Sequence, residues 1–444
     1  MKTSNNKNND KIEKQGIVFY YQKYINVLKN QLKTKIDVVM MAYFFGRWIP
    51  YAIAIGIVTG TLAAIMDLFI IKINIVLNKN LILILVYPLM VALLTGAIIE
   101  KHPSTGGPGI GYSILHIKTN RYIKFHSLLF KFISSTFTLA GGFIAGREGP
   151  SFFLGTGLGE WLGKAYGLGK KNKNILGLIG GGAFTGSLLK APLGSSIFAM
   201  EIENEHDLDY RPFVPMIIAS VVSYLTFSFF RGNHPFIMLS ENPYWNLKDI
   251  PYIIIMGLII SIITYIYTII YQTSTKFSKY IKPKIRPVIG TLIAIPLLFA
   301  LFYITKNKNI LSAPAHMMII SDIAQNQFKI YADVAIICLT VLITSFTLGF
   351  GIPGGLVLPN LLIGAAVGNI FGHYFPQEIV MFSLAGMGAA LAAGAKTPLA
   401  AIVMITEMTH ADVVIPMTAA VITSYTTSFG YSLYVGLEKG QFVK

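Results

Sequence analysis

The feature that most constrains this chain is a set of long apolar blocks carrying few charges. They are Tyr51–Leu77, Leu81–Ile99, Ile250–Tyr271, Val288–Tyr303 and Val334–Phe350. A bilayer crossing takes ~20 mainly apolar residues, and several of these blocks reach that length. Composition agrees: 54% of the residues are hydrophobic and 13% charged, where soluble domains carry about 25% charged residues. The chain therefore reads as a polytopic helical membrane protein. A soluble enzyme or a nucleic-acid binder is excluded.

The net charge of +16 then takes a different meaning. Lys and Arg gather between the apolar blocks, at Lys23–Arg47, Lys170–Lys173 and Lys276–Arg286. Such clusters mark cytoplasmic loops and contacts with anionic lipid headgroups. The first fifteen residues are polar and lack the apolar core of a signal peptide. They predict a disordered cytoplasmic start, followed by an amphipathic stretch at Ile17–Leu32 lying on the membrane. The single cysteine, Cys338, sits in an apolar block and reads as a small core residue.

Much of the glycine falls in two regions, Gly141–Gly194 and Gly349–Gly394, and these repeat one another. Pro150, Gly155, Gly159 and Gly163 align at one constant offset with Pro359, Gly364, Gly368 and Gly372. Further along, Lys190-Ala191-Pro192-Leu193 with Glu201 matches Lys396-Thr397-Pro398-Leu399 with Glu407, and Gly180 and Gly182 match Gly386 and Gly388. Helix packing alone explains scattered small residues, but not a shared Lys-x-Pro-Leu-x7-Glu. A duplication follows. In membrane transporters duplicated halves commonly run inverted and meet near the bilayer midplane. Helices broken by Gly and Pro at that depth survive only where they are buried or line a polar path. Their free N-terminal amides favour an anion.

The sharpest element is Gly146-Arg147-Glu148-Gly149-Pro150, an adjacent Arg and Glu between glycines at the start of an apolar run. Intramembrane ionisable residues are costly and usually functional. One reading is a local Arg–Glu pair that orients the loop. The other is a helix N-terminus offering amides to an anion, with Glu148 competing for the same place. A carboxylate shares an anion's charge and hydrogen-bond demand, so it plugs the site when ionised and leaves it when protonated.

Gly146–Pro150 is similar to the signature of the CLC family of chloride channels and proton-coupled chloride transporters, and the resemblance runs from about Gly46 to Gln441. Gly107-Pro108-Gly109-Ile110-Gly111 resembles the family's Gly-Ser-Gly-Ile-Pro element. Gly355-Leu356-Val357-Leu358-Pro359 resembles its Gly-x-Phe-x-Pro element, and Ser432-Leu433-Tyr434 the segment carrying the pore tyrosine. Lys131 matches a family lysine. The resemblance implies an all-α membrane protein of two inverted repeats with broken, partly spanning helices, assembled as a homodimer with one pore per subunit. It implies Glu148 as gate and proton acceptor. The anion would be held by Pro108, Gly109, Arg147, Gly149, Leu356, Val357 and Tyr434. Tyr434 could instead be an interfacial anchor, and Tyr431 competes for its role.

Three departures from the family pattern matter. Pro108 replaces the serine, removing both a hydroxyl and an N–H. Proline there resembles the nitrate-preferring plant vacuolar members, or simply keeps the helix start open. Val357 replaces the phenylalanine, which reshapes the pore, and Gly111 replaces a proline. Ile202 stands where exchangers usually carry an internal glutamate, with Glu203 next in sequence and rotated by ~100° on a helix. Glu205, His206, Asp207 and Asp209 follow, and with Glu201 they read as a solvated cap at the membrane surface. The internal proton path through Ile202 and Glu203 is thus in doubt.

The resulting expectation is anion transport: proton-coupled chloride or nitrate exchange gated by Glu148, with a passive CLC-type channel as the alternative. A membrane-embedded enzyme is the remote rival, since no nucleophile elbow, no His-Glu-x-x-His helix and no paired aspartates appear in the spans. The absence of a P-loop speaks against a primary pump, and the intact Gly146–Pro150 against a fluoride carrier. The expected organisation is a cytoplasmic segment at 1–46, a membrane domain at 47–441 (repeats at about 47–231 and 250–441) and a tail at 442–444. The chain stops soon after Tyr434, so a prokaryotic-type member without C-terminal CBS domains is expected. It would lie in the cell membrane with a cytoplasmic N-terminus, its partners being small anions, protons, lipid and a second copy. No cofactor, metal or nucleic acid is expected.

Overall fold

The computed structural model describes residues 46–203, 212–239, 242–311, 315–324, 328–428, 430 and 432–434. The N-terminal segment and its amphipathic stretch, the acidic run from Glu205 to Asp209, Tyr431 and the C-terminal tail lie outside the described residues. The chain divides into Met1–Tyr51, of which only helical residues 46–51 are described, and the compact unit Ala52–Lys444. The described residues are almost entirely helical.

Among the described residues, seven helices are long and apolar enough to cross a bilayer. Among them are α1 (Gly46–Leu77) and the helices that follow as α2 (Leu81–Lys101), α8 (Phe213–Arg231), α9 (Ile250–Ser278) and α10 (Arg286–Thr305). The chain also forms α3 (Ile110–Lys118), α4 (Phe125–Ala140), α5 (Glu148–Ala165), α6 (Lys170–Leu189) and α7 (Pro192–Glu203) in its first part. Its second part adds α11 (Ala315–Ala324), α12 (Ile330–Thr347), α13 (Val357–Gly372), α14 (Ile379–Ala395), α15 (Pro398–Thr409) and α16 (Val414–Thr427). Hydropathy alone ranks α10 above α14, yet 94% of the apolar window at α14 is buried and only 28% of that at α10. α14 is a central element; α10 turns most of its surface outward.

The packing repeats itself. α5 lies on α6 as α13 lies on α14, and α6 meets α7 and α8 as α14 meets α15 and α16. The aligned glycines explain the closeness. A methyl on Gly155 would sit 2.1 Å from the Gly180 carbonyl oxygen, and one on Gly364 would sit 2.2 Å from that of Gly386. Only bare backbone lets these helices cross so tightly.

The shared Lys-x-Pro-Leu-x7-Glu has an equally direct origin. Lys190 and Lys396 close α6 and α14 in the left-handed conformation, at φ 54° and 61°. Pro192 and Pro398 then open α7 and α15, where a missing N–H costs nothing. Glu201 at the end of α7 accepts from the backbone N–H groups of Leu399 (3.1 Å) and Ala400 (2.8 Å) at the start of α15. Glu407 near the end of α15 returns the contact to Leu193 (3.1 Å) and Gly194 (2.8 Å) at the start of α7. Each repeat caps the other.

Two expectations are corrected here. Glu201 is buried, at 6% exposure, and serves as a cap between helices, so it is no part of a solvated surface cluster. Cys338 is exposed on α12 instead of lying in the core. An apolar block in a membrane protein offers no contrast between lipid-facing and core-facing positions, since lipid tails are as apolar as the core.

Candidate functional site

The two glycine breaks meet. Gly146 and Gly355 exchange backbone hydrogen bonds of 2.9 and 2.7 Å, an isolated antiparallel bridge that ties the loop before α5 to the loop before α13. The N-termini of both helices consequently open onto one spot, each with first-turn amides that have no partner within the helix.

Glu148 is the first residue of α5 and is fully buried. Its Oε1 accepts from the Val357 N–H at 2.6 Å, the first amide of α13. Its Oε2 is buried with no hydrogen-bond partner. The carboxyl thus occupies a helix N-terminus, where an anion gains from both the amides and the dipole. Glycine makes the room: a methyl on Gly355 would lie 1.8 Å from Oε1, and one on Gly146 would lie 2.1 Å from Oε2.

A third segment closes in from the start of α3. Gly109 caps that helix at φ 95°, a left-handed geometry that glycine adopts without strain. The Pro108 carbonyl comes so near that a methyl on Gly149 would meet its oxygen at 2.4 Å and the Gly355 Cα at 2.9 Å. Lys131 is fully buried behind this loop. Its Nζ donates to the carbonyls of Thr105 (3.0 Å) and Gly107 (2.6 Å) and stands 5.5 Å from the Phe153 ring centre. A buried amine satisfied by two carbonyls fixes the loop.

Tyr434 is buried with its hydroxyl lacking a hydrogen-bond partner. The Leu356 N–H and the Glu148 carboxyl both lie within electrostatic reach of that hydroxyl. Tyr267, hydrogen-bonded to Thr344 at 2.8 Å, is likewise within reach of Glu148. An unpartnered carboxyl oxygen and an unpartnered hydroxyl therefore sit in one buried region.

Space opens on two sides of it. A small pocket is lined by Arg147, Glu148, Val357, Leu361, Phe236 and Met408. A cavity of about 90 Å³ is lined by Pro108, Gly109, Tyr112, Tyr271, Lys279 and Arg286, among others. Glu148 stands at the first and Pro108 at the second.

The structure thus brings together Pro108, Gly109, Glu148, Gly149, Leu356, Val357 and Tyr434. Arg147 shares the first pocket, but its guanidinium is committed elsewhere. It pairs with Asp67 at 2.7 Å, and Arg231 holds the other oxygen of Asp67, also at 2.7 Å. The local Arg147–Glu148 pair does not form, because each side chain has a partner on another element. Ile202 is buried and Glu203 half-buried at the end of α7, and neither lines the two spaces. Sequence reasoning missed Asp67, Arg231 and Tyr267. A charged aspartate inside an otherwise apolar block was the available signal for the first.

The sequence profile of the voltage gated chloride channel family matches residues 91–428. An uncharacterised protein of Methanocaldococcus jannaschii is 27% identical over 384 residues, covering 85% of this chain and 92% of its own. A protein of Yersinia pestis named H(+)/Cl(-) exchange transporter ClcA is 26% identical over 330 residues, covering 71% and 68%. The fold matches the crystal structure of a CLC-type fluoride/proton antiporter, with a TM-score of 0.76 at 20% identity over 88% of this chain and 98% of that one. It also matches a slow cyanobacterial Cl-/H+ antiporter, with a TM-score of 0.76 at 22% identity over 88% and 96%. A family match over well more than half the length, joined to this fold, settles the class: the chain is an integral membrane protein of the CLC family, built from two inverted repeats for anion transport and not for enzyme chemistry.

Proposed function

We propose that this protein exchanges chloride or nitrate for protons across the cell membrane, with Glu148 as the gate. One observation carries the reading: the Glu148 carboxyl rests on the Val357 amide at the head of α13, where a transported anion would rest. When Glu148 takes a proton, the charge that holds it there is gone, and an anion can replace it on the same amides. The Arg147 pocket and the Pro108 cavity are then the two approaches, the latter on the cytoplasmic side with the N-terminus. Pro108, Gly109, Gly149, Leu356, Val357 and Tyr434 line the path between them. Amides and a hydroxyl, without a full counter-charge, bind an anion yet release it. Arg147, held by Asp67, shapes the potential at the mouth. We take repeat one as about 47–231, repeat two as about 250–441, and the assembly as a homodimer with a pore in each subunit.

The names of the relatives support exchange, since ClcA of Yersinia pestis is called an H(+)/Cl(-) exchange transporter. Ile202 favours the second reading, a passive anion channel, because an isoleucine relays no proton. Proteoliposomes decide between them. Under a chloride or nitrate gradient an exchanger drives protons uphill, and Glu148→Gln abolishes that movement while anion flux continues. Proton movement unaltered in Glu148→Gln removes the gate assignment; no proton movement in the parent protein makes it a channel.

A further inference from the structure

We infer that Glu160 is the inner proton acceptor of this protein and that the α5–α6 seam passes its proton to Glu148. This rests on the exchange proposed above and supplies the carboxylate that Ile202 withholds.

Glu160 lies on the same helix as the gate, twelve residues on. That spacing is a rise of ~18 Å, about half the bilayer's apolar thickness of ~30 Å. With the gate near the midplane, Glu160 stands at the membrane edge toward Lys170–Lys173. It is 2% exposed; its Oε2 accepts from the Ile123 N–H at 2.9 Å, and its Oε1 is buried with no partner. The residues flanking Ile123 in that loop, Thr119 to Tyr122 and Lys124, are exposed, so one loop separates Glu160 from water.

From Glu160 a row of polar groups leads back toward the gate. One turn away, the Thr156 hydroxyl is also buried without a partner. Gly177 and Gly181 of α6 face these two side chains: a methyl on Gly177 would come within 3.0 Å of Glu160 Cγ, and one on Gly181 within 2.8 Å of Thr156 Oγ1. Past Phe152, Ser151 Oγ meets Thr185 Oγ1 at 3.1 Å and donates to the Glu148 carbonyl at 2.9 Å. Thr156 to Ser151 is a rise of ~7.5 Å, two to three hydrogen-bond lengths, so the proposed relay requires water to enter the close-packed seam as α5 and α6 part there.

Supply comes from the Pro108 cavity. Tyr112 on α3 lines that cavity and lies within electrostatic reach of both Glu160 and Arg121. A proton leaves the Glu160 carboxylic acid, moves along hydroxyls and water as far as Ser151 beside the Glu148 backbone, and crosses from there through water to the Glu148 carboxylate. A proton from the solution, carried by water in the cavity, then reprotonates Glu160. No electrons move and no bond between heavy atoms changes. Other carboxyls suit the task less: both oxygens of Glu201 are taken by the Leu399 and Ala400 amides. In the second repeat the position matching Glu160 is Asn369, an amide that donates to Asp333 at 2.8 Å and carries no titratable proton.

The test is proton and anion flux measured together in proteoliposomes for the parent, Glu160→Gln and Glu160→Asp. Glu160 stands off the anion path, so Glu160→Gln should keep anion flux while proton flux falls by ~100-fold, the lower scale of a lost general acid–base group. Glu160→Asp, which keeps a titratable carboxyl, should retain proton flux. Unchanged proton flux in Glu160→Gln overturns the inference and leaves exchange standing. Equal loss of both fluxes assigns Glu160 a structural role and overturns it too. No uphill proton movement in the parent removes the exchange reading and this inference with it.

Discussion

At the scale of single residues, the proposed gate is as much a matter of missing side chains as of the one present. Gly146 and Gly355 leave the space that the Glu148 carboxyl fills, and a methyl on Gly355 would sit 1.8 Å from Oε1. Gly355→Ala should overpack this point and cost ~1–3 kcal/mol in thermal unfolding. In a Glu148→Ala background the space is vacant, so the same change should cost far less. Two additive substitutions in that double-mutant cycle would contradict the seat described here. Pro108 invites a second change. It offers no N–H and no hydroxyl, so Pro108→Ser adds a donor beside the proposed path and should move preference from nitrate toward chloride, read as the flux ratio under paired gradients. An unaltered ratio would leave the proline as a spacer. Much of this site is readable in the chain itself, because Gly-Arg-Glu-Gly-Pro and the segments around Pro108 and Val357 are local patterns. Asp67 is not, since its partners Arg147 and Arg231 lie far along the chain and meet it only through packing.

At the scale of elements, the duplicated Lys-x-Pro-Leu-x7-Glu is a capping device shared between repeats. α7 and α15 pack together, and each ends in a glutamate that holds the other's first amides. Glu201→Ala and Glu407→Ala should each cost ~1 kcal/mol or more, the scale of a lost helix cap, read as a lower midpoint of thermal unfolding in detergent. Glu201→Gln should leave proton coupling intact, because this carboxyl is committed to structure; a loss of coupling with anion flux preserved would give it a proton role after all. The motif's existence was legible from spacing, but its purpose was not. A glutamate following an apolar helix reads equally well as a surface residue until the second repeat is folded against the first. Cys338 failed for a related reason: along a uniformly apolar helix, nothing local distinguishes the face toward lipid from the face toward protein.

At the scale of the whole molecule, two repeats of one chain supply every group at the candidate site. Glu148 and Gly149 come from the first repeat, Leu356, Val357 and Tyr434 from the second, and the Gly146–Gly355 bridge joins them. The amphipathic and hydropathy patterns could locate the membrane but not this convergence, which depends on both breaks reaching the same depth from opposite halves. If each chain completes its own path, a second copy adds stability and surface but no missing ligand. In the proposed homodimer, a subunit with Glu148→Ala should therefore not silence its neighbour. Heterodimers isolated by two different affinity tags, one on the parent chain and one on Glu148→Ala, should retain about half the uphill proton flux of the parent dimer, since one intact gate remains. Their anion flux should persist through both subunits. Proton flux falling to zero in the heterodimer would show a gate shared across the interface, which a site closed within one chain does not allow.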